Sequence, residues 1–157
     1  MIFVDTSVLD SAIGPAGSAR DDAQQFFLRS LDEGIPLVTS AAVIFEVIVN
    51  LDPAMRVRTD FLIDLIRGRL PEVWALEAED VFHAQRLDYR FQDLHDSGLI
   101  KLAACWRRGV HEVYTYDGAL RHAMNSGRRG TRLTGRDRAR RAQQEWRESH
   151  WNETAWP

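Results

Sequence analysis

Short apolar runs of four or five residues alternate along the chain with longer segments whose apolar side chains recur every three to four positions, the periods of a strand and of a helix. Residues 1–4 are an apolar run with a β-branched member, and Asp5-Thr6-Ser7 then offers N-caps for a helix over 8–13. Gly14-Pro15-Ala16-Gly17-Ser18 reads as a loop. Residues 19–33 gather Ala23, Phe26, Phe27, Leu28 and Leu31 on one helical side and stop at Gly34. A second strand over 35–39, a cap at Ser40 and a strongly apolar helix over 41–50 repeat the order. Phe61, Leu62, Leu65 and Ile66 predict a helix over 54–69, broken between Gly68 and Pro71 before a short strand at 73–76. Helices over 79–91 and 94–108 follow, the second closed by Gly109. A strand at 113–116 ends on Asp117, a last helical turn covers 118–124, and 131–134 suits a small edge strand.

Strands alternating with helices through short connections predict an α/β fold, a mainly parallel sheet with helices on both faces. In such sheets ligands bind beyond the carboxyl ends of the strands, and Asp5 and Asp117 both sit there. A chain of 157 residues fits one domain with a sizeable core, and its 27% of charged residues is ordinary for a soluble globular protein. The single cysteine, Cys105, excludes an intrachain disulfide framework and a Cys-rich zinc site; on its apolar helix it reads as packing. No apolar run is long enough to span a bilayer, and the opening residues lack the basic and apolar regions of a signal peptide. A cytoplasmic protein with no membrane partner is the expectation. Charge is divided unevenly: residues 1–120 carry 11 basic and 19 acidic side chains, whereas residues 121–157 carry 9 and 4. An acidic body does not bind a polyanion by counterion release over its whole surface, so a nucleic-acid partner requires that acid to be neutralised.

Four carboxylates stand where carboxylates are expensive or suggestive. Glu46 lies inside Ala41-Ala42-Val43-Ile44-Phe45-Glu46-Val47-Ile48-Val49, apolar on every helical face, and is expected to be protonated, salt-bridged or bound to a cation. Asp96 has Leu99, Ile100, Ala103 and Ala104 at +3, +4, +7 and +8, which turns it toward the core side. Its plainer role is a helix N-terminal carboxylate, and Asp93 is its rival for either role. Asp5 and Asp117 each suit a helix cap as well. Brought together, such acids repel, and they bind a divalent cation or share protons. Oxygen-only ligands favour Mg²⁺ or Mn²⁺ over zinc, and a metal-activated water suits phosphodiester hydrolysis.

Met1-Ile2-Phe3-Val4-Asp5-Thr6-Ser7-Val8-Leu9, Thr39-Ser40 through Glu46, Asp96 with Ala103-Ala104 and Gly109, and Tyr114-Thr115-Tyr116-Asp117 together resemble the PIN domain in the form found in VapC toxins of bacterial toxin–antitoxin pairs. The resemblance spans residues 1–125, a PIN-like nuclease domain, and leaves 126–157 as a basic Arg/Trp-rich extension. It implies a three-layer α/β/α fold, an Mg²⁺- or Mn²⁺-dependent endoribonuclease leaving a 5′-phosphate and a 3′-hydroxyl, a homodimer, and inhibition by a cognate antitoxin. Carried over, Asp5, Glu46, Asp96 and Asp117 are the acidic catalytic residues, with metal held by Asp5, Asp96 and Asp117 and Glu46 nearby or acting through water. Thr6, Ser7 and Thr115 match the polar positions beside the first and last aspartates. Two features depart from the pattern. The interval from Asp96 to Asp117 is long, so that a gapless match puts Gly98 at the third acidic position, and the basic tail exceeds the compact family end.

In the tail, Arg136, Arg138, Arg140, Arg141 and Trp146 combine guanidinium forks with a stackable ring, suited to single-stranded RNA; the plainer alternative is a solvated helix over 136–149 with Trp146 docked on the core. The apolar residues of 54–69 suit core packing or a dimer or antitoxin groove. His95 is more ordinary as an exposed or hydrogen-bonded residue than as a general base, and Asp10, Asp21, Asp22 and Asp32 read as solvated helix faces. Alternatives to the toxin are a PIN-type nuclease for RNA maturation or DNA without an antitoxin, and a catalytically degenerate PIN-like RNA-binding protein. A receiver-type phosphoacceptor lacks its lysine near the last strand, Lys101 being the chain's only one.

Overall fold

The computed structural model describes residues 1–50, 63–68, 70 and 72–128. The elements run β1 (Ile2–Val4), α1 (Thr6–Ile13), α2 (Ser18–Asp32), β2 (Leu37–Ser40), α3 (Ala41–Asn50), α4 (residues 63–68), β3 (Glu72–Trp74), α5 (Ala78–Asp88), α6 (Asp96–Arg107), β4 (Val113–Tyr114) and α7 (Gly118–Arg128). Most of the helix expected over 54–69, the edge strand expected at 131–134 and the basic tail with Arg136, Arg138, Arg140, Arg141 and Trp146 lie outside the described residues.

The strand order is β3-β2-β1-β4 and every pairing is parallel, with Phe3 opposite Val38 on one side and Val113 on the other. The chain therefore steps outward from β1 to β2 to β3, then returns across β1 to place β4 on its far side. That reversal makes the carboxyl ends of β1 and β4 the switch point of the sheet, where such folds open a crevice. The architecture is the α/β/α sandwich expected from the alternation of strands and helices. Phe3, Val4 and Val38 of the central strands are fully buried, as are Val8 and Leu9 of α1, Val43 and Val47 of α3, and Leu102 and Ala103 of α6. The left-handed glycines Gly34 (φ 63°) and Gly109 (φ 69°) follow α2 and α6, the two stops read from the sequence.

Local chemistry sets the helix starts nearest the sheet. Asp5 is extended and caps α1, its carboxylate accepting from the Ser7 N–H at 3.5 Å. Ser40 Oγ accepts from Val43 N–H at 3.3 Å at the head of α3. On the opposite flank, α5 is joined to α6 by ions. Asp80 is fully buried and accepts from Arg107 Nη1 at 2.6 Å and Arg108 Nη1 at 2.8 Å, while Glu77 holds the other branches of both arginines at 3.0 Å. Arg108 also lies over the Trp74 ring, 5.0 Å from its centroid, tying the pair to β3.

Burial alone would raise the Asp80 carboxyl, but its bonds from Arg108, the Glu77 N–H and Arg107 more than offset that, and the net direction is down. A depressed carboxylate contributes stability that is present at neutral pH and lost as pH falls through its folded-state value. Asp80→Ala is expected to cost about 3 kcal/mol, less than a fully enclosed pair because both arginines reach water. Asp80→Asn is expected to flatten the loss of stability below about pH 4. Urea unfolding from pH 3 to 7 checks both, and an unchanged midpoint in Asp80→Ala contradicts the role.

Candidate active site at the carboxyl ends of β1 and β4

Asp5 leaves β1 at the switch point and is 3% exposed, so each of its oxygens needs a partner. Oδ2 accepts from Thr115 Oγ1 at 2.7 Å and Ser7 Oγ at 2.8 Å. Each hydroxyl spends its only proton on Asp5 and accepts a backbone N–H in return: Tyr116 N–H donates to Ser7 Oγ at 3.0 Å and Asp117 N–H to Thr115 Oγ1 at 2.9 Å. The chain just after β4 is thus fastened to the chain just after β1 through one carboxylate oxygen.

The other oxygen, Oδ1, accepts from Lys101 Nζ at 2.9 Å. Lys101 comes from the middle of α6 and is 6% exposed. Its ammonium also reaches Glu46 Oε2 at 2.6 Å and Thr6 Oγ1 at 3.0 Å, and Thr6 in turn donates its hydroxyl proton to Glu46 Oε2. All three ammonium protons are thereby matched. Of the three fates expected for Glu46, the structure shows the salt bridge. Desolvation opposes the charge on Lys101, but Asp5 and Glu46 outweigh it and its pKa rises. Burial likewise opposes ionisation of Asp5; Lys101, Thr115 and Ser7 reverse the sign and hold the carboxyl below its usual range.

The remaining carboxylates are placed differently. Asp96, expected to turn toward the core side, is exposed at the first turn of α6, five residues before Lys101; Asp93 and His95 are exposed too. Gly98 is buried against Leu94, whose Cδ2 lies 3.0 Å from where a Cβ would stand, so a larger residue there would require Leu94 to shift. Asp117 is exposed, and its Oδ1 accepts from Ala119 N–H at 2.8 Å and Leu120 N–H at 3.2 Å, capping α7. Thr6, Ser7 and Thr115, the three hydroxyls read from the sequence, all bond within the site.

Sequence reasoning missed two groups. Lys101 carries the same signal that exposed Glu46, a charge in an apolar run, Leu99-Ile100-Lys101-Leu102-Ala103. Asp10, read as solvated, is half-buried one helical turn beyond Thr6. Burial first, then the charges of Asp5 and Glu46, raise its carboxyl to about 6, with Lys101 pulling the other way. Asp22 also departs from a plain solvated face: its Oδ2 accepts from Tyr116 at 2.6 Å and Tyr114 at 2.9 Å, tethering α2 to the end of β4.

Among the described residues, no three or more Asp, Glu, His or Cys side chains are gathered as a ready metal cage. The donor chemistry nonetheless fits a hard cation: carboxylate oxygens from two elements converge on one positive atom, and no sulfur or imidazole intrudes.

No family model matches the chain. It is 40% identical over 127 residues to Ribonuclease VapC23 of Mycobacterium tuberculosis strains CDC 1551 and H37Rv, a match covering 80% of this chain and all of that protein. Its fold superposes on the crystal structure of M. tuberculosis VapC20, a sarcin-ricin loop cleaving toxin, with TM-score 0.64 and 22% identity over 78% of this chain and 95% of that one. FitAcB from Neisseria gonorrhoeae gives TM-score 0.55 and 17% identity, covering 80% and 94%. With the switch-point aspartate, its hydroxyl partners and a full-length relative at that identity, the chain belongs to the VapC family of PIN-domain ribonucleases.

Proposed function

We propose that this protein is an endoribonuclease that hydrolyses RNA phosphodiester bonds with Mg²⁺ or Mn²⁺ and acts as the toxin of a toxin–antitoxin pair. The observation that carries the reading is the buried, ionised Asp5 at the carboxyl ends of β1 and β4, in a chain of the VapC family. Asp5, Asp96 and Asp117 would hold the ion, with Glu46 beside them. When bound, the ion lowers the pKa of an attacking water and offsets charge on the phosphoryl oxygens.

The chain's own groups prepare that site. Ser7 and Thr115 fix the orientation of the Asp5 carboxylate and, against its burial, join Lys101 in holding it deprotonated. Thr6 aims Glu46. Asp10 adds a further negative charge above about pH 6, which favours a cation. Arg136, Arg138, Arg140, Arg141 and Trp146 would grip the RNA backbone and bases, supplying the positive charge that the body lacks. A homodimer and a cognate antitoxin in the cytoplasm complete the reading. Its support on the described surface is the apolar row Phe45, Ile48 and Val49 on α3, with Phe45 67% exposed.

Cleavage is tested by incubating the purified protein with structured RNA and with single-stranded DNA, in Mg²⁺, Mn²⁺ or EDTA. RNA cleavage is expected with either ion and none in EDTA, and Asp5→Asn is expected to lower the rate by about 100-fold or more. Metal-independent cleavage, or full activity in Asp5→Asn, would falsify the reading; RNA binding without cleavage favours the degenerate alternative.

Asp10 gives a pH prediction for the metal-free protein. Its folded value of about 6 lies above the unfolded one, so the folded state binds more protons between these values and stability falls as pH rises through that window. Asp10→Asn is expected to raise stability at pH 7.5 by about 1 kcal/mol, a figure reduced for solvent screening, and to leave it unchanged near pH 4. Urea midpoints in EDTA at the two pH values measure this, and equal midpoints at pH 7.5 contradict it.

A further inference from the structure

We propose that the Lys101 ammonium is a built-in cation of the acidic site, standing between Asp5 and Glu46 where a metal ion would otherwise be drawn, so that a divalent ion binds without Glu46 as a ligand. The inference rests on the metal-dependent reading above and narrows it, assigning Glu46, there only beside the ion, to the lysine. Three observations carry it.

The ammonium is fully matched: its protons go to Asp5 Oδ1, Glu46 Oε2 and Thr6 Oγ1, and Thr6 adds its own proton to the same Glu46 oxygen. The site is built for a cation of this shape, since a buried lysine survives only where each donor is met and its charge is balanced. The lysine is also the only one in the chain and is 6% exposed, in a helix whose neighbours Leu99, Leu102, Ala103 and Ala104 are buried apolar residues. Nothing else in that part of α6 calls for a charge. Finally, Asp5 and Glu46 arrive from different elements, the end of β1 and the middle of α3, so without a positive atom between them their charges would push α1 and α3 apart.

Two consequences follow in opposite directions. The fixed ammonium keeps the carboxylates in place when no metal is present, so the metal-free protein stays assembled. It also repels a second cation, which lowers metal affinity and leaves Asp5 with only the coordination that Lys101 does not use.

The test is Mn²⁺ titration by calorimetry, with thermal unfolding in EDTA and in Mn²⁺, on wild type, Lys101→Met, Glu46→Gln and Asp5→Asn. Lys101→Met is expected to melt lower in EDTA, to bind Mn²⁺ at least about tenfold more tightly than wild type, and to gain more in melting temperature on adding Mn²⁺. Glu46→Gln is expected to keep Mn²⁺ affinity within about fivefold of wild type, whereas Asp5→Asn loses it. A folded Lys101→Met that binds Mn²⁺ no more tightly than wild type overturns the proposal. So does a Glu46→Gln that loses Mn²⁺ binding as completely as Asp5→Asn; this second variant decides the matter if Lys101→Met does not fold. Failure of the underlying reading has a different signature, RNA cleavage by wild type in EDTA. Even then, Mn²⁺ binding that appears only in Lys101→Met supports the lysine as the resident cation.

Discussion

The site depends on one buried positive charge. An ammonium removed from water is costly unless its charge and all of its donors are met, and Lys101 meets both conditions with atoms from two separate parts of the chain, Asp5-Thr6 and Glu46. Those partners lie at the end of β1, at the start of α1 and on α3, while the lysine rides on α6. A single atom therefore joins four elements on the carboxyl side of the sheet. Hydrophobic burial alone would allow α3 and α6 some freedom to slide, because apolar contact is not directional. The charge contacts have fixed lengths and remove that freedom at the carboxyl ends of β1 and β4.

The sheet order makes this convergence possible. Because β4 returns to the far side of β1, Thr115 comes within 2.7 Å of Asp5, a residue 110 positions earlier in the chain. Ser7 and Thr115 then act as a double latch: each gives a proton to Asp5, and Ser7 takes the Tyr116 N–H from across the crevice while Thr115 takes the Asp117 N–H of its own segment. Asp5 is consequently surrounded by donors on one oxygen and by an ammonium on the other, which explains why a 3% exposed carboxylate ionises more readily than a free one. Asp10 has no such company. Burial first, then the charges of Asp5 and Glu46, oppose its ionisation, Lys101 does not outweigh them, and its value moves the opposite way.

Much of the fold was legible because it is written locally. Gly34 and Gly109 stop their helices with a backbone only glycine adopts cheaply, and Asp5 and Ser40 cap theirs through side chains two or three residues away. The apolar runs at 1–4, 35–39 and 113–116 foretold three parallel strands within two residues at each end. The hydroxyls Thr6, Ser7 and Thr115 and the unusual Glu46 were legible for the same reason, as polar groups at strand ends or in an apolar helix. The partner of Glu46 was not legible. The sequence offered a Glu in one apolar run and a Lys in another, and only the crossing of α3 and α6 brings them together. The core-side placement read for Asp96 missed for a different reason: its helical spacing matched the core face, but it heads the first turn of α6 and is exposed. Periodicity fixes the direction around a helix axis and says nothing of how far along that axis the core extends.

Asp117 shows how one carboxylate can meet a structural demand with a single oxygen. The head of α7 leaves backbone N–H groups without intrahelical partners, and those of Ala119 and Leu120 both turn to Oδ1. Capping thus uses one oxygen and fixes the side-chain torsions, which leaves the direction of Oδ2 determined by the helix it caps. Asp117 N–H is itself held by Thr115 Oγ1, the hydroxyl that donates to Asp5. The backbone of the last aspartate is thereby linked to the first through a single intervening hydroxyl, while its side chain is oriented by the helix it caps. A side chain pre-oriented in this way loses little conformational entropy on gaining a further partner. Capping and ligation at Asp117 need not compete; the cap supplies the rigidity that a second bond at Oδ2 would use.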